Sequence, residues 1–197
     1  MPAVKFSKFV CFGLVGGCLA VSATSAHAQS DFPEIGIAGG VGIFIPTDSE
    51  VRNLVGSSFL RFSVSPRRIQ SVSNQPRFTL DFDIISANRN GNRILVVPIT
   101  GGITQFFGGD EDIARPYGTI RAGLAYMDYG ITRPYFSSNG PPGRYSSRTV
   151  GFAASAELGL QISDRARVSA TYSIFSPSSG FRFDGLSFEA SYILFRL

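Results

Sequence analysis

The chain has 197 residues, with 18 Lys and Arg against 14 Asp and Glu and a formal charge of +4. A basic start (Lys5, Lys8), an apolar run over residues 9–21 too short to cross a bilayer as a helix, and a small-residue stretch ending Ala26-His27-Ala28 predict a secretory signal peptide cut after Ala28. Both cysteines, the histidine and both lysines leave with it, so the expected mature chain, with 16 Arg against 14 acids, excludes a disulfide, a Cys/His zinc site, a His-based catalytic triad and a nucleic-acid footprint.

From residue 34 onward the dominant signal is a period of two, the mark of strands with two unlike faces. The first strand is expected over residues 34–45. Ile35, Ile37, Val41, Ile43 and Ile45 share one face, and Gly36, Ala38, Gly40 and Gly42 share the other. The Gly-rich GIAGGVG lacks the helix start and Lys of a phosphate-binding loop. Glycines on that face instead leave room for long side chains opposite. Residues 46–56 form a polar connection in which Asp48 or Ser49 can cap one helical turn.

The second strand, residues 58–66, alternates Leu60, Phe62 and Val64 with Arg61, Ser63 and Ser65. The third, 77–85, alternates Phe78, Leu80, Phe82 and Ile84 with Thr79, Asp81 and Asp83. Asn90-Gly91 then marks a tight hairpin. The fourth, 94–106, is apolar on both parities in its first half and contains Pro98, which removes a ladder donor. The acid run Asp110-Glu111-Asp112 lacks calcium-loop spacing and reads as a solvated turn.

The fifth strand, 117–128, sets Ile120, Ala122, Leu124 and Tyr126 against Thr119, Arg121, Gly123 and Ala125, and the longest loop follows over residues 129–147. Residues 149–175 carry the longest regular alternation, two strands joined at Asp164-Arg165. The eighth strand, 186–197, changes parity, which predicts a bulge near Tyr192.

The fold class that follows is all-β: an eight-stranded antiparallel up-and-down transmembrane barrel of residues 29–197, preceded by the cleavable signal peptide of residues 1–28. Strands of this length cross a bilayer when tilted, and only a closed barrel satisfies its backbone there without helices. With the apolar parity toward lipid, the lumen receives Arg61, Asp81, Asp83, Arg121, Glu157, Arg167 and Glu189. Eight strands enclose just enough space for side chains, so these charges are expected to pair as a plug. Tyr117, Tyr126, Tyr172, Tyr192 and Phe195 are candidates for the interfacial girdles. Arg89, Arg93, Arg133, Arg144 and Arg182 form a basic rim opposite the chain ends, suited to lipopolysaccharide phosphates.

These features, with Arg115-Pro116-Tyr117-Gly118 leading into Arg121-Ala122-Gly123-Leu124-Ala125-Tyr126 and the ending Phe195-Arg196-Leu197, make residues 29–197 resemble the small outer-membrane β-barrels of Gram-negative bacteria. The likeness is to the transmembrane-domain type of outer-membrane protein A and to the opacity proteins. It implies a place in the cell outer membrane, contact with outer-membrane lipid and lipopolysaccharide, and recognition of the last strand by the barrel-assembly machinery. In that family the last strand usually ends in Phe or Trp, from which Leu197 departs.

The expected function is non-enzymatic: a monomeric structural or surface-interaction (adhesion-like) barrel with no catalytic residue, cofactor or metal. The alternative is a narrow channel or a carrier for a small apolar ligand. A barrel enzyme of the outer-membrane acylase, lipase or protease kind would need a histidine that the mature chain lacks. A soluble lipocalin-like barrel would turn the apolar parity inward.

Overall fold

A computed structural model describes residues 35–68, 76–108, 114–133 and 142–196. The expected signal peptide with its cleavage site at Ala28, the acid run 110–112 and Leu197 lie outside them. Among the described residues there are eight strands: β1 (Ile35–Pro46), β2 (Phe59–Arg68), β3 (Arg77–Arg89), β4 (Asn92–Phe106), β5 (Arg115–Arg133), β6 (Gly143–Gln161), β7 (Ala166–Phe175) and β8 (Gly185–Arg196). Each pairs antiparallel with the next, and β8 pairs with β1, closing the barrel. One helix, α1 (Ser49–Val55), follows β1. Asp48 caps it by accepting from the Glu50 N–H at 2.8 Å.

The end where β1 begins is termed near, and the end where it finishes far. Over the middle of the wall the apolar parity points outward. Phe78, Ile120 and Leu158 expose 71–78% of their surface, while Arg61, Asp83, Arg121 and Glu157 on the opposite parity are buried. An apolar interior wrapped in polar residues, as a soluble barrel requires, is therefore reversed over the middle of the wall. Among the described residues no helix is long and apolar enough to cross a membrane, which says nothing about crossing by strands.

Several strands run past their expected ends: β2 reaches Arg68, β3 reaches Arg89 and β4 starts at Asn92, and the largest extensions are in β5 and β6. β5 and β6 continue their ladder to Arg133 opposite Gly143, so strand occupies most of the expected loop over residues 129–147. The cause lies inside the barrel. There the inward positions Met127, Tyr129 and Ile131 are apolar and buried, so polar-inward alternation stops although the strand does not. The same switch explains β4, whose inward Ile94 and Val96 are buried in this apolar cluster. The turn between β3 and β4 has Asn90 at φ 53° and Gly91 at φ 76°, the pair of positive angles that a two-residue hairpin needs.

The bulge expected near Tyr192 is present in β8, at Leu194. Ile37 pairs with Phe195 and Ala38 with Ile193, leaving Leu194 as the extra residue. Leu194 and Phe195 are both exposed as a result.

Candidate functional site

The middle of the lumen holds two arginines among four carboxylates. Arg61 and Arg121 project inward from β2 and β5, Asp81 and Asp83 from β3, Glu157 from β6 and Glu189 from β8. Arg61 Nη2 donates to Asp83 Oδ2 at 2.9 Å, and its Nε lies 3.4 Å from Glu189 Oε2. Arg121 reaches Glu157 Oε2 with Nη2 at 2.5 Å and lies 2.6 Å from Asp81 Oδ2 through Nε. Tyr117 Oη donates to the second Glu157 oxygen at 2.6 Å, and Ser63 Oγ donates to Glu189 Oε1 at 2.7 Å.

Glycine makes this crowding possible. A Cβ at Gly40 would stand 2.3 Å from both Glu189 Oε1 and Ser63 Oγ, and one at Gly159 would stand 2.5 Å from the Tyr117 ring. Beside the network is a cavity of about 20 Å³ lined by Asp81, Tyr117, Arg121, Glu157, Arg167 and Thr79, among others. That is room for about one water.

Toward the near end the lumen narrows onto an aromatic pair. Phe106 and Tyr117 have ring centroids 5.5 Å apart. Arg115 and Arg167 lie 5.0 and 5.1 Å from the Phe106 centroid, and Arg77 lies 5.6 Å away. Arg167 donates to Gln161 Oε1 at 3.1 Å. It was expected in the ion-pair network, but it stacks on rings and makes no carboxylate contact within ion-pair distance among the described residues. Arg67, overlooked in the sequence, donates to Ser65 and Ser191 hydroxyls at 3.2 and 2.9 Å. With Arg67 and Arg167 included, four guanidiniums balance the four central carboxylates. Arg67 was accessible by parity, since residues 61, 63, 65 and 67 share a face.

Tyr117 is the other correction on this side. It is buried in the lumen and is not a girdle residue. Parity with Arg121 and Thr119 already places it inward. Tyr126, Tyr172, Tyr192 and Phe195 face outward.

The far end is filled differently. Val51 and Val55 of α1 descend into the barrel and join Phe44, Phe59, Ile85, Ile94, Tyr129, Phe175, Phe181 and Phe183 in one apolar cluster. Phe181 and Phe183 belong to the connection between β7 and β8. Their centroids lie 6.0 and 5.2 Å from that of Tyr129. This connection is fastened by Asp184, whose Oδ1 accepts the Phe175 N–H at 2.8 Å and whose carbonyl accepts the Thr47 N–H at 2.8 Å.

The expected rim divides. Arg89, Arg93, Arg144 and Arg182 are exposed at the far end. Arg133 is instead buried beneath it, forked onto Glu50 of α1, with Nη2 2.9 Å from Oε2 and Nε also bonded to Oε1. Its guanidinium stacks on Tyr145 and Phe181 at 5.0 and 4.6 Å. Inward parity on β5 sends it there, beside Ile131 and Tyr129. Arg148, not singled out in the sequence, stands exposed on the outer wall and lies 3.2 Å from Asp128. No group of His, Cys, Asp and Glu among the described residues is arranged to hold a metal.

No protein-family model matches the chain, and no curated protein matches it. Solved structures do. Ail, the attachment invasion locus protein of Yersinia pestis, is 13% identical with a TM-score of 0.52, over 84% of this chain and 99% of Ail. The N-terminal β-barrel domain of Pseudomonas aeruginosa OprF is 11% identical with a TM-score of 0.48, over 81% of this chain and 96% of that one. The outer membrane enzyme PagL is 13% identical with a TM-score of 0.44, over 80% of this chain and 99% of that one. At such identities the likeness to Ail shows the fold alone, that of a closed β-barrel.

Proposed function

We propose that this protein resides in the outer membrane of a Gram-negative-type bacterium as a monomeric, non-enzymatic barrel with a structural and surface-interaction role. The observation that carries this reading is the inverted wall. Large apolar side chains are exposed on every strand, while arginines and carboxylates are buried between them. Such an outer face is stable against hydrocarbon and aggregates in water. Lipid and lipopolysaccharide are then the immediate partners. The barrel-assembly machinery would receive the last strand, with its exposed Phe188, Tyr192 and Phe195.

The same reading makes the lumen a plug. Paired charges fill the middle, an aromatic cluster fills the far end and an arginine–aromatic stack fills the near end, so neither a water path nor an apolar-ligand chamber is favoured. The luminal cavity beside the ion pairs measures about 20 Å³. A larger concavity, lined by Leu158, Leu160, Val168, Ala170 and Phe188, opens on the outer wall. Specificity would reside in the far-side connections.

The test is the electrophoretic mobility of the mature chain refolded in detergent, with and without boiling, together with circular dichroism. A heat-dependent shift with a β-type spectrum is expected. Solubility in plain buffer with no shift would defeat the reading. In planar bilayers the refolded protein is expected to be silent, and discrete conductance steps would favour the narrow-channel alternative.

A further inference from the structure

Three arginines converge on the outer wall where β4, β5 and β6 leave the apolar belt. On β5 the outward row runs Ile120, Ala122, Leu124, Tyr126 and then Asp128. On β6 it runs upward through Phe152 and Val150 to Arg148 and Arg144. Asp128 pairs across the ladder with Arg148. Arg93 of β4 reaches the same carboxylate from the other side, its Nη2 3.3 Å from Oδ1, while Arg148 Nε lies 3.2 Å from Oδ2. Neither arginine is consumed by this contact. Their side chains remain 57% and 71% exposed, whereas Asp128 is 17% exposed.

Gly130 supplies the floor. Although it sits on the outward row, it is buried, because Arg93 and Arg144 lie across it. A Cβ at Gly130 would be 3.8 Å from Arg93 Cγ, 3.9 Å from Arg93 Nε and 3.9 Å from Arg144 Nη2. Two guanidinium groups therefore approach over one bare backbone position, and a third arrives through Asp128. Three cations against one carboxylate leave a local charge of +2. A phosphate monoester carries about −1.5 to −2 at neutral pH. Guanidinium forks bind phosphate through parallel N–H···O contacts.

Position identifies the source of that phosphate. One step toward the near end the wall is Tyr126, Val150 and Phe152, all exposed and apolar. A headgroup held by the arginines would have its acyl chains lying on those residues. We propose that Arg93, Arg144 and Arg148 form a lateral site for the phosphate of a membrane-lipid headgroup, at the far-side edge of the apolar belt. Asp128 positions two of the guanidiniums and does not touch the ligand. The inference rests on the outer-membrane reading above and gives its lipid contact a site, three named guanidiniums around Asp128 and Gly130.

The experiment titrates the mature barrel, refolded in a zwitterionic detergent, with diphosphorylated lipid A, with the dephosphorylated glycolipid of the same acyl composition, and with inorganic phosphate alone. Bound lipid is counted by native mass spectrometry. The phosphorylated lipid is expected to bind about tenfold more tightly or better than the dephosphorylated one, the gain of one charge-assisted contact. The variant carrying Arg93→Gln, Arg144→Gln and Arg148→Gln is expected to lose that preference while keeping the heat-dependent mobility shift. Arg182→Gln, another exposed far-side arginine, is expected to keep both. Equal binding of the two lipids, or an undiminished preference in the triple variant, overturns the site. Inorganic phosphate competing as well as the lipid overturns the lipid assignment. Loss of the mobility shift in the unmodified protein defeats the outer-membrane reading itself, and is scored separately from lipid preference.

Discussion

The middle and the far end of the lumen solve one problem with opposite chemistry. Both must fill a narrow tube whose wall has no side chains to spare. The middle does so with long charged groups that all come from strands, Arg61 and Arg121 each reaching two carboxylates. The far end does so mainly with apolar groups around one buried ion pair, Arg133–Glu50, and several of them come from segments outside the wall: Val51 and Val55 from α1, Phe181 and Phe183 from the β7–β8 connection. The middle is therefore part of the barrel's cooperative unit. The far end is a stopper whose pieces pack on the wall from outside the strand ladder, so they are expected to open at lower free energy than the paired strands.

The largest effect that would break this contrast is in the middle. Arg121→Ala strands Asp81 and Glu157, and the cost of leaving buried charges unpaired is about 3–5 kcal/mol. Urea unfolding of the protein in lipid vesicles should show the midpoint fall for the whole barrel at once. A loss below about 1 kcal/mol would mean that the lumen is wet enough to solvate both carboxylates.

Phe181→Ala should produce a smaller and differently distributed change. Truncating a buried Phe costs at most about 5 kcal/mol, but the connection can release locally, so the global unfolding free energy should fall by less than about 3 kcal/mol. Amide exchange should rise near residues 176–184 and α1 while β5 and β6 remain protected. A uniform rise around the barrel would erase the distinction between stopper and wall.

Gly159→Ala sharpens the comparison from the packing side. Its methyl would stand 2.5 Å from the Tyr117 ring, and overpacking of this kind costs about 1–3 kcal/mol. The Tyr117 hydroxyl should also shift from Glu157, which the Tyr117 ring resonances in NMR would report. Unmoved ring resonances would contradict the placement of Tyr117 inside the lumen. Last comes Arg182→Ala. Its guanidinium is 70% exposed, but the Asp184 side chain it pairs with is 3% exposed and keeps the Phe175 N–H as a second donor, so stability should fall by less than about 1 kcal/mol. A substantially larger loss would make that contact part of the fastening of the stopper.

The contrast also explains what could be read in advance. Period-two alternation exposed the barrel because the middle obeys one rule, apolar outward and polar inward. Arg61, Asp81, Asp83, Arg121 and Glu157 all followed from it. Where the inward face turns apolar, at Tyr129 and Ile131 or at Ile94 and Val96, the rule fails and the strands look like loop or lose their parity. Arg133 was assigned to the rim for this reason, although its parity matched Arg121. Phe181 and Phe183 carry no periodic signal, because their burial comes from a fold-back over the barrel end that only tertiary contact reveals. Arg148 differs again: its outward parity was legible, but its neighbours Arg93 and Asp128 belong to other strands, and register between strands is not written in any one of them.

The pairing of β1 with β8 has a consequence for how the protein is made. Residues 36–46 find their second hydrogen-bonding partner only in residues 185–196, the most distant stretch of the described chain. A chain that pairs strand by strand thus carries two raw sheet edges until residues 185–196 dock, and contacts of such sequence separation form slowly. Until the ring closes, the edge of β1 is open to any other strand that arrives first.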